Sequence, residues 1–203
     1  MGAKETILEE IRRFPGQAGI YYHSLTTGET WGYRDTEPYL AASIVKLPLM
    51  AAILLWKSRG QTSFDDPVTI REDQKIPGCG AVQFLNGDVT LTVGELSKLM
   101  ITISDSRCAT NALFRHYGAM AIHEAFLELG MIGTQFNREY WDAERENRGI
   151  NNYFVPREMG CLLQKMYDRT LVDEASSEWL EQILRQNQQI NRSAHGLTLH
   201  RQT

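Results

Sequence analysis

From residue 1 to 14 apolar and charged side chains interleave at helical spacing, which predicts an amphipathic helix. Gly19-Ile-Tyr-Tyr-His-Ser-Leu25 then reads as a strand, Thr26-Thr-Gly-Glu29 as a turn, and Thr30-Trp-Gly-Tyr33 as the return strand of a hairpin. Polar residues nearly vanish between 43 and 56, so this segment is predicted as the buried central helix. Pro48 falls in its first two turns, where a missing amide is best tolerated. Asp66-Pro-Val-Thr-Ile70 reads as a short strand, and 72–87, punctuated by Pro77-Gly-Cys-Gly80, as irregular. Thr92-Val-Gly-Glu95 is a capping box that opens an apolar helix ending at Ile103. Further helices are predicted over 106–117 and 119–129, and a polar loop with Asn and Gly over 133–155. Pro156 suits a first helical position, with Met159, Leu162, Leu163 and Met166 following on one face. A last helix over 173–188 buries Leu180, Ile183 and Leu184. Strands early and helices late indicate an α+β fold, with something needed to complete a sheet too small to stand alone.

Composition bounds the function classes. The chain has 203 residues, 42% hydrophobic and 23% charged, which fits one globular domain over 1–203. Its net charge of −4 gives no basic footprint for nucleic acid or an anionic membrane surface. The most apolar run, 47–56, is too short to span a bilayer, and acidic residues interrupt any signal-like stretch near the start. Cys79, Cys108 and Cys161 are odd in number and widely spaced, so they read as reduced thiols in a cytoplasmic protein. No cofactor and no metal are expected: His123-Glu124 lacks the second His of a zinc helix, and the other histidines form no ligand spacing. A Gly-x-Ser-x-Gly elbow is missing too, against an α/β-hydrolase.

Chemistry enters at Ser43-Ile-Val-Lys46, where the apolar helix begins. Three residues are close to one helical turn, so the hydroxyl and the amine share a face. A serine is a weak nucleophile until a base takes its proton, and a lysine kept partly dry can be that base. A chain this long holds roughly one Ser-x-x-Lys by chance, so the weight rests on what surrounds it. Ser104-Asp105-Ser106 directly follows the apolar stretch from Leu96 to Ile103. Read by itself, a Ser-Asp pair at a helix junction is a cap.

Taken together, Ser43-x-x-Lys46, Thr92-Val-Gly-Glu-Leu96 and Ser104-Asp105 resemble the class A β-lactamase and penicillin-recognising serine hydrolase family. There a Ser-x-x-Lys element is followed, about sixty residues on, by Ser-Asp-Asn. The resemblance runs from about Gly19 to about Gln189 and leans towards the cytosolic branch. It implies a helical block against an antiparallel sheet, with Ser43 as acylated nucleophile, Lys46 as base or proton relay, and Ser104 as the hydroxyl passing a proton to the leaving nitrogen. Ser106 stands where the family has the Asn whose amide holds the lysine and the substrate, so the resemblance implies a substrate-binding place for Ser106, though its hydroxyl is shorter and offers one donor. Ala109-Thr-Asn111 falls one residue later than the family's similar run, as an insertion in this turn would cause, so Asn111 is a candidate for the lost substrate-binding role; its other reading is a residue packed against the helix junction. The family's loop glutamate activates the hydrolytic water. Here Asp142, Glu144 and Glu146 are available without the Glu-x-x-Leu-Asn pattern, and Glu144 is the preferred candidate; a solvated charged loop held by Arg138 is the plain alternative.

The family's third element, Lys-Thr-Gly on an edge strand, has no counterpart after Gln189, where the chain reads Ile-Asn-Arg-Ser-Ala-His-Gly-Leu-Thr-Leu-His-Arg-Gln-Thr203. The resemblance then implies a C-terminally truncated domain that lacks one oxyanion donor, a loss worth about 10²–10³ in rate. The expected activity is hydrolysis of a small-molecule β-lactam or related amide or ester. A D,D-peptidase-like or esterase-like member of the superfamily, and an impaired remnant, are the rivals. Self-association through an exposed sheet edge is the expected partner contact.

Overall fold

The computed structural model describes residues 2–188. Helix α1 (Ala3–Arg13) carries Glu5 in its first turn and Arg12 and Arg13 in its last, matching the helix dipole. Strands β1 (Ile20–His23) and β2 (Thr30–Tyr33) form the expected hairpin, with Ile20 opposite Tyr33 and His23 opposite Thr30. The Tyr22 and Trp31 rings stack across it, 5.6 Å between centroids. Strand β3 (Tyr39–Leu40) leads into a single 3₁₀ turn, Ser43–Val45, and then α2 (Lys46–Ser58). Leu49 through Leu54 are each at most 2% exposed, so α2 is indeed the buried axis of the molecule. Its sequence allows nothing else, because an all-round apolar helix must be covered on every side.

Strand β4 (Pro67–Ile70) pairs antiparallel with β5 (Val89–Thr92), a strand the sequence pattern did not separate from the capping box that follows it. Thr92 ends β5 and caps α3 (Val93–Thr102): its hydroxyl accepts from the Glu95 N–H while Glu95 accepts from the Thr92 N–H. The helix predicted over 106–117 divides in two, a π-helical turn at Ser106–Thr110 and then α4 (Asn111–Tyr117). α5 (Ala119–Glu128) follows, then the polar loop, which holds α6 (Ala143–Asn147) and β6 (Tyr153–Phe154). β6 pairs antiparallel with β3. α7 (Pro156–Tyr167) starts on its proline, and α8 (Glu174–Arg185) is capped by Asp173. Met159 and Leu162 of α7 are buried, but Leu163 is 41% exposed, because the inward stripe of α7 is narrower than the sequence suggested.

The fold is α+β: helices around α2, with three separate two-stranded antiparallel sheets among the described residues. α7 lies across β1, where Gly160 leaves room for the Tyr21 ring. Also among the described residues, no helix is long and apolar enough to cross a membrane. Leu197-Thr-Leu199, the one tail stretch suited to pairing, lies outside the described residues.

Candidate active site

Three elements meet at the N-terminal end of α2. The 3₁₀ turn presents Ser43, the first turn of α2 holds Lys46, and the junction after α3 supplies Ser104 and Ser106. Ser43 Oγ lies 2.8 Å from Ser104 Oγ. Lys46 Nζ is 3.3 Å from Ser43 Oγ, 2.6 Å from Ser104 Oγ, 3.0 Å from the Ser104 carbonyl oxygen and 2.6 Å from Ser106 Oγ. The Ser106 hydroxyl in turn donates to the Ser104 carbonyl at 2.9 Å. Ser43, Lys46 and Ser104 line a cleft of about 660 Å³, shared with Leu47 and Cys79.

The junction is shaped by Asp105, 1% exposed, which the sequence presents only as the middle of a short motif. Its carboxylate accepts four backbone N–H groups, from Ala81 and Val82 on one oxygen and from Cys108 and Ala109 on the other, at 2.9–3.2 Å. One acid thereby ties the irregular 72–87 segment to the π-helical turn, and its burial is met by charge-assisted hydrogen bonds. Ser104 sits just before it at φ 58°, a left-handed conformation that costs a non-glycine residue about 1 kcal/mol or more. That backbone turns both the hydroxyl and the carbonyl of Ser104 towards Lys46. The π turn takes up one residue more than an α-helical turn would, and α4 follows it directly.

Lys46 is 2% exposed. Burial pushes its pKa down to about 8, with Asp105 and Cys79 pulling the other way. A buried ammonium whose nearest partners are neutral oxygens gives up its proton more readily than one in water. Tyr140, from the polar loop, covers it: the ring centroid is 5.1 Å from Nζ, and the phenol donates to the Ala42 carbonyl at 2.8 Å. Burial drives the Tyr140 phenol far up, so it is neutral. A search of this loop for carboxylates passes over Tyr140; the signal available was an aromatic residue two positions after Arg138.

The structure thus brings Ser43, Lys46, Ser104 and Ser106 together. It does not bring in Asn111 or Glu144. Asn111 is fully buried behind the cluster, its Nδ2 donating to the Tyr140 carbonyl at 3.0 Å and its Oδ1 accepting the Tyr140 N–H at 2.8 Å. Both ends of the amide are used in holding the loop, which is closer to the packing reading than to substrate binding. Glu144 lies in the first turn of α6 with its side chain 86% exposed, 3.9 Å from Arg148 of the same helix. Asp142 caps α6 and Glu146 pairs with Arg138 at 3.3 Å.

Comparison with known proteins gives the family and the fold. Residues 2–202 match the family described as the beta-lactamase enzyme family. A beta-lactamase of Rhodobacter capsulatus is 28% identical over 135 residues, 66% of this chain and 45% of that protein. The carbapenem-hydrolyzing beta-lactamase KPC of Klebsiella oxytoca is 29% identical over 133 residues, 64% of this chain and 44% of that one. The match thus spans less than half the length of either relative. Among solved structures, a beta-lactamase from Sphaerobacter thermophilus superimposes with a TM-score of 0.79 at 25% identity, covering 91% of this chain and 69% of the other. PBP-A does so with a TM-score of 0.81 at 26% identity, covering 91% and 68%. On the matched length, the fold and the order of its motifs, the chain belongs to the beta-lactamase enzyme family.

Proposed function

We propose that the chain is a serine hydrolase of beta-lactamase type that forms an acyl-enzyme through Ser43 on a β-lactam or a related amide or ester. The observation that carries this reading is the contact of Ser43 Oγ, Ser104 Oγ and a buried Lys46 Nζ whose pKa is lowered to about 8. Neutral Lys46 takes the Ser43 proton, directly or through Ser104, as Oγ bonds to the carbonyl carbon. When the carbon–nitrogen bond breaks, Ser104 donates its proton to the leaving nitrogen and is resupplied by Lys46. Ser106, through its bonds to Lys46 and the Ser104 carbonyl, holds this group in place. Asn111 and Glu144 have no part in these steps.

A second reading, a D,D-peptidase-like enzyme whose acyl-enzyme turns over slowly, draws support from two observations. Among the described residues no loop carboxylate bonds to the cluster. A variant of PBP-A, similar in fold to this chain at a TM-score of 0.81, is known as an acyl-enzyme complex with penicillin G. Cys79, Cys108 and Cys161 are free thiols, which supports a reducing, cytoplasmic setting.

Intact-mass spectrometry after incubation with benzylpenicillin tests the assignment. The wild type should gain one adduct, Ser43→Ala none, and Lys46→Met should acylate slower by about 10² or more. An adduct on Ser43→Ala at the wild-type rate sinks the nucleophile assignment. A rapidly hydrolysed chromogenic cephalosporin favours the first reading, and a persistent adduct the second.

A further inference from the structure

Resting on the Ser43 acyl-enzyme reading, we propose that Tyr140 sets the lifetime of that acyl-enzyme, by covering the polar-loop side of the Ser43–Lys46 pair with a neutral ring that leaves no loop carboxylate beside them to act as a base.

Hydrolysis of acyl-Ser43 requires a water oxygen to bond to the ester carbonyl carbon. The bond from that carbon to Ser43 Oγ then breaks, one water proton passes to a base, and Oγ regains a proton. A positioned base is worth about 10²–10⁴ in such a step. The loop over 133–155 contains four carboxylates, and each is engaged elsewhere. Glu139 pairs with Arg115, Asp142 caps α6, Glu144 faces Arg148, and Glu146 pairs with Arg138. Asp105, the acid whose charge Lys46 feels most, has both oxygens occupied by backbone N–H groups.

What the loop does present to Lys46 is Tyr140. Three constraints fix it there. Asn111 holds its backbone N–H and carbonyl, the phenol is anchored on the Ala42 carbonyl, and the ring lies 5.1 Å from Nζ. The hydroxyl is spent as a donor, and burial keeps it protonated, so it does not serve as a base. Its hydrogen bond reaches the residue just before the nucleophile, so Tyr140 also steadies the turn that presents Ser43. It is therefore a positioning residue for acylation and a barrier to deacylation at once.

The test follows the adduct of full-length protein with benzylpenicillin by intact mass, after removal of free antibiotic, alongside the melting temperature of each variant. The wild-type adduct should persist. Tyr140→Phe should acylate several-fold more slowly, having lost the bond to Ala42, yet shed its adduct within about twofold of the wild-type rate. Tyr140→Glu, which brings a carboxylate in on the same pinned backbone, should shed it at least about tenfold faster. Should that variant fail to fold, Tyr140→Gly opens the same space without charge and should shed the adduct several-fold faster. Identical lifetimes for the wild type and whichever of the Glu and Gly variants folds overturn the proposal, as does rapid shedding by Tyr140→Phe. If the wild type takes up no adduct at all, the acyl-enzyme reading falls, and this proposal with it; equal lifetimes with acylation intact sink this proposal alone.

Discussion

Four oxygens surround the Lys46 ammonium, and none of them carries a charge. Its burial is thus compensated by dipoles, which hold a cation less firmly than a carboxylate would, and the pKa falls to about 8. For a base whose neutral form is the active one, acylation of Ser43 should rise about tenfold per pH unit below that value and level off above it. Stopped-flow acylation between pH 6 and 10 measures this; a flat profile would remove Lys46 as the base. The same shift has a sign in stability. An unfolded lysine keeps its proton to about pH 10.4, so between pH 8 and there the unfolded chain binds more protons and folding gains as pH rises. Below pH 8 the burial cost stays constant. Lys46→Met should flatten that part of the denaturation profile.

At the scale of elements, the junction at the candidate active site is tied together by Asp105 and by the glycine that lets its carboxylate in. Gly80 has φ 124°, and a Cβ there would collide with the Asp105 side chain. Gly80→Ala should destabilise the protein by roughly 2–4 kcal/mol, through strained backbone and loss of the Ala81 and Val82 hydrogen bonds. Urea denaturation reads this out; a change under about 0.5 kcal/mol would mean that the 72–87 segment does not depend on Asp105. These ties also mark where sequence reading stops. The hairpin, the Thr92 capping box, the apolar α2 and the Pro156 start were legible, because each is decided by chemistry within a few residues. β5 was hidden because its partner β4 lies about twenty residues away, and the π turn because a helix with one extra residue has no distinct composition. Ser43, Lys46, Ser104 and Ser106 were legible as a spaced motif. The place of Tyr140 depends on Asn111, twenty-nine residues earlier, and no local pattern predicts such a contact.

For the molecule as a whole, helices carry the core and the sheets are left small. The β1–β2 ribbon pairs with no third strand among the described residues, and two-stranded ribbons are marginal without further cover. α7 covers part of it through Tyr21 and Gly160, while Tyr22 is 40% exposed and Leu25 52%. Residues 1–203, expressed alone, should therefore associate at raised concentration, and a charged substitution such as Tyr22→Lys should reduce that. Sedimentation velocity over a concentration series decides it; a monomer throughout would mean that the ribbon is protected.

The oxygens around Lys46 differ in what they can do with a proton, and that difference gives the cluster a direction. The Ser104 carbonyl can only accept, and the Ser106 hydroxyl has already committed its hydrogen to that carbonyl, so towards Lys46 it too can only accept. When the ammonium becomes an amine it retains two hydrogens and gains one lone pair. Those two hydrogens suit the two obligate acceptors. The lone pair is left to face the Ser43 and Ser104 hydroxyls, one of which donates to the other, so that the pair has one hydrogen left to offer the amine. In the proposed acylation, losing a proton would thus turn the amine towards Ser43 by elimination, and the polarity of the proposed relay would be set by two serine groups that take no part in the bond-making.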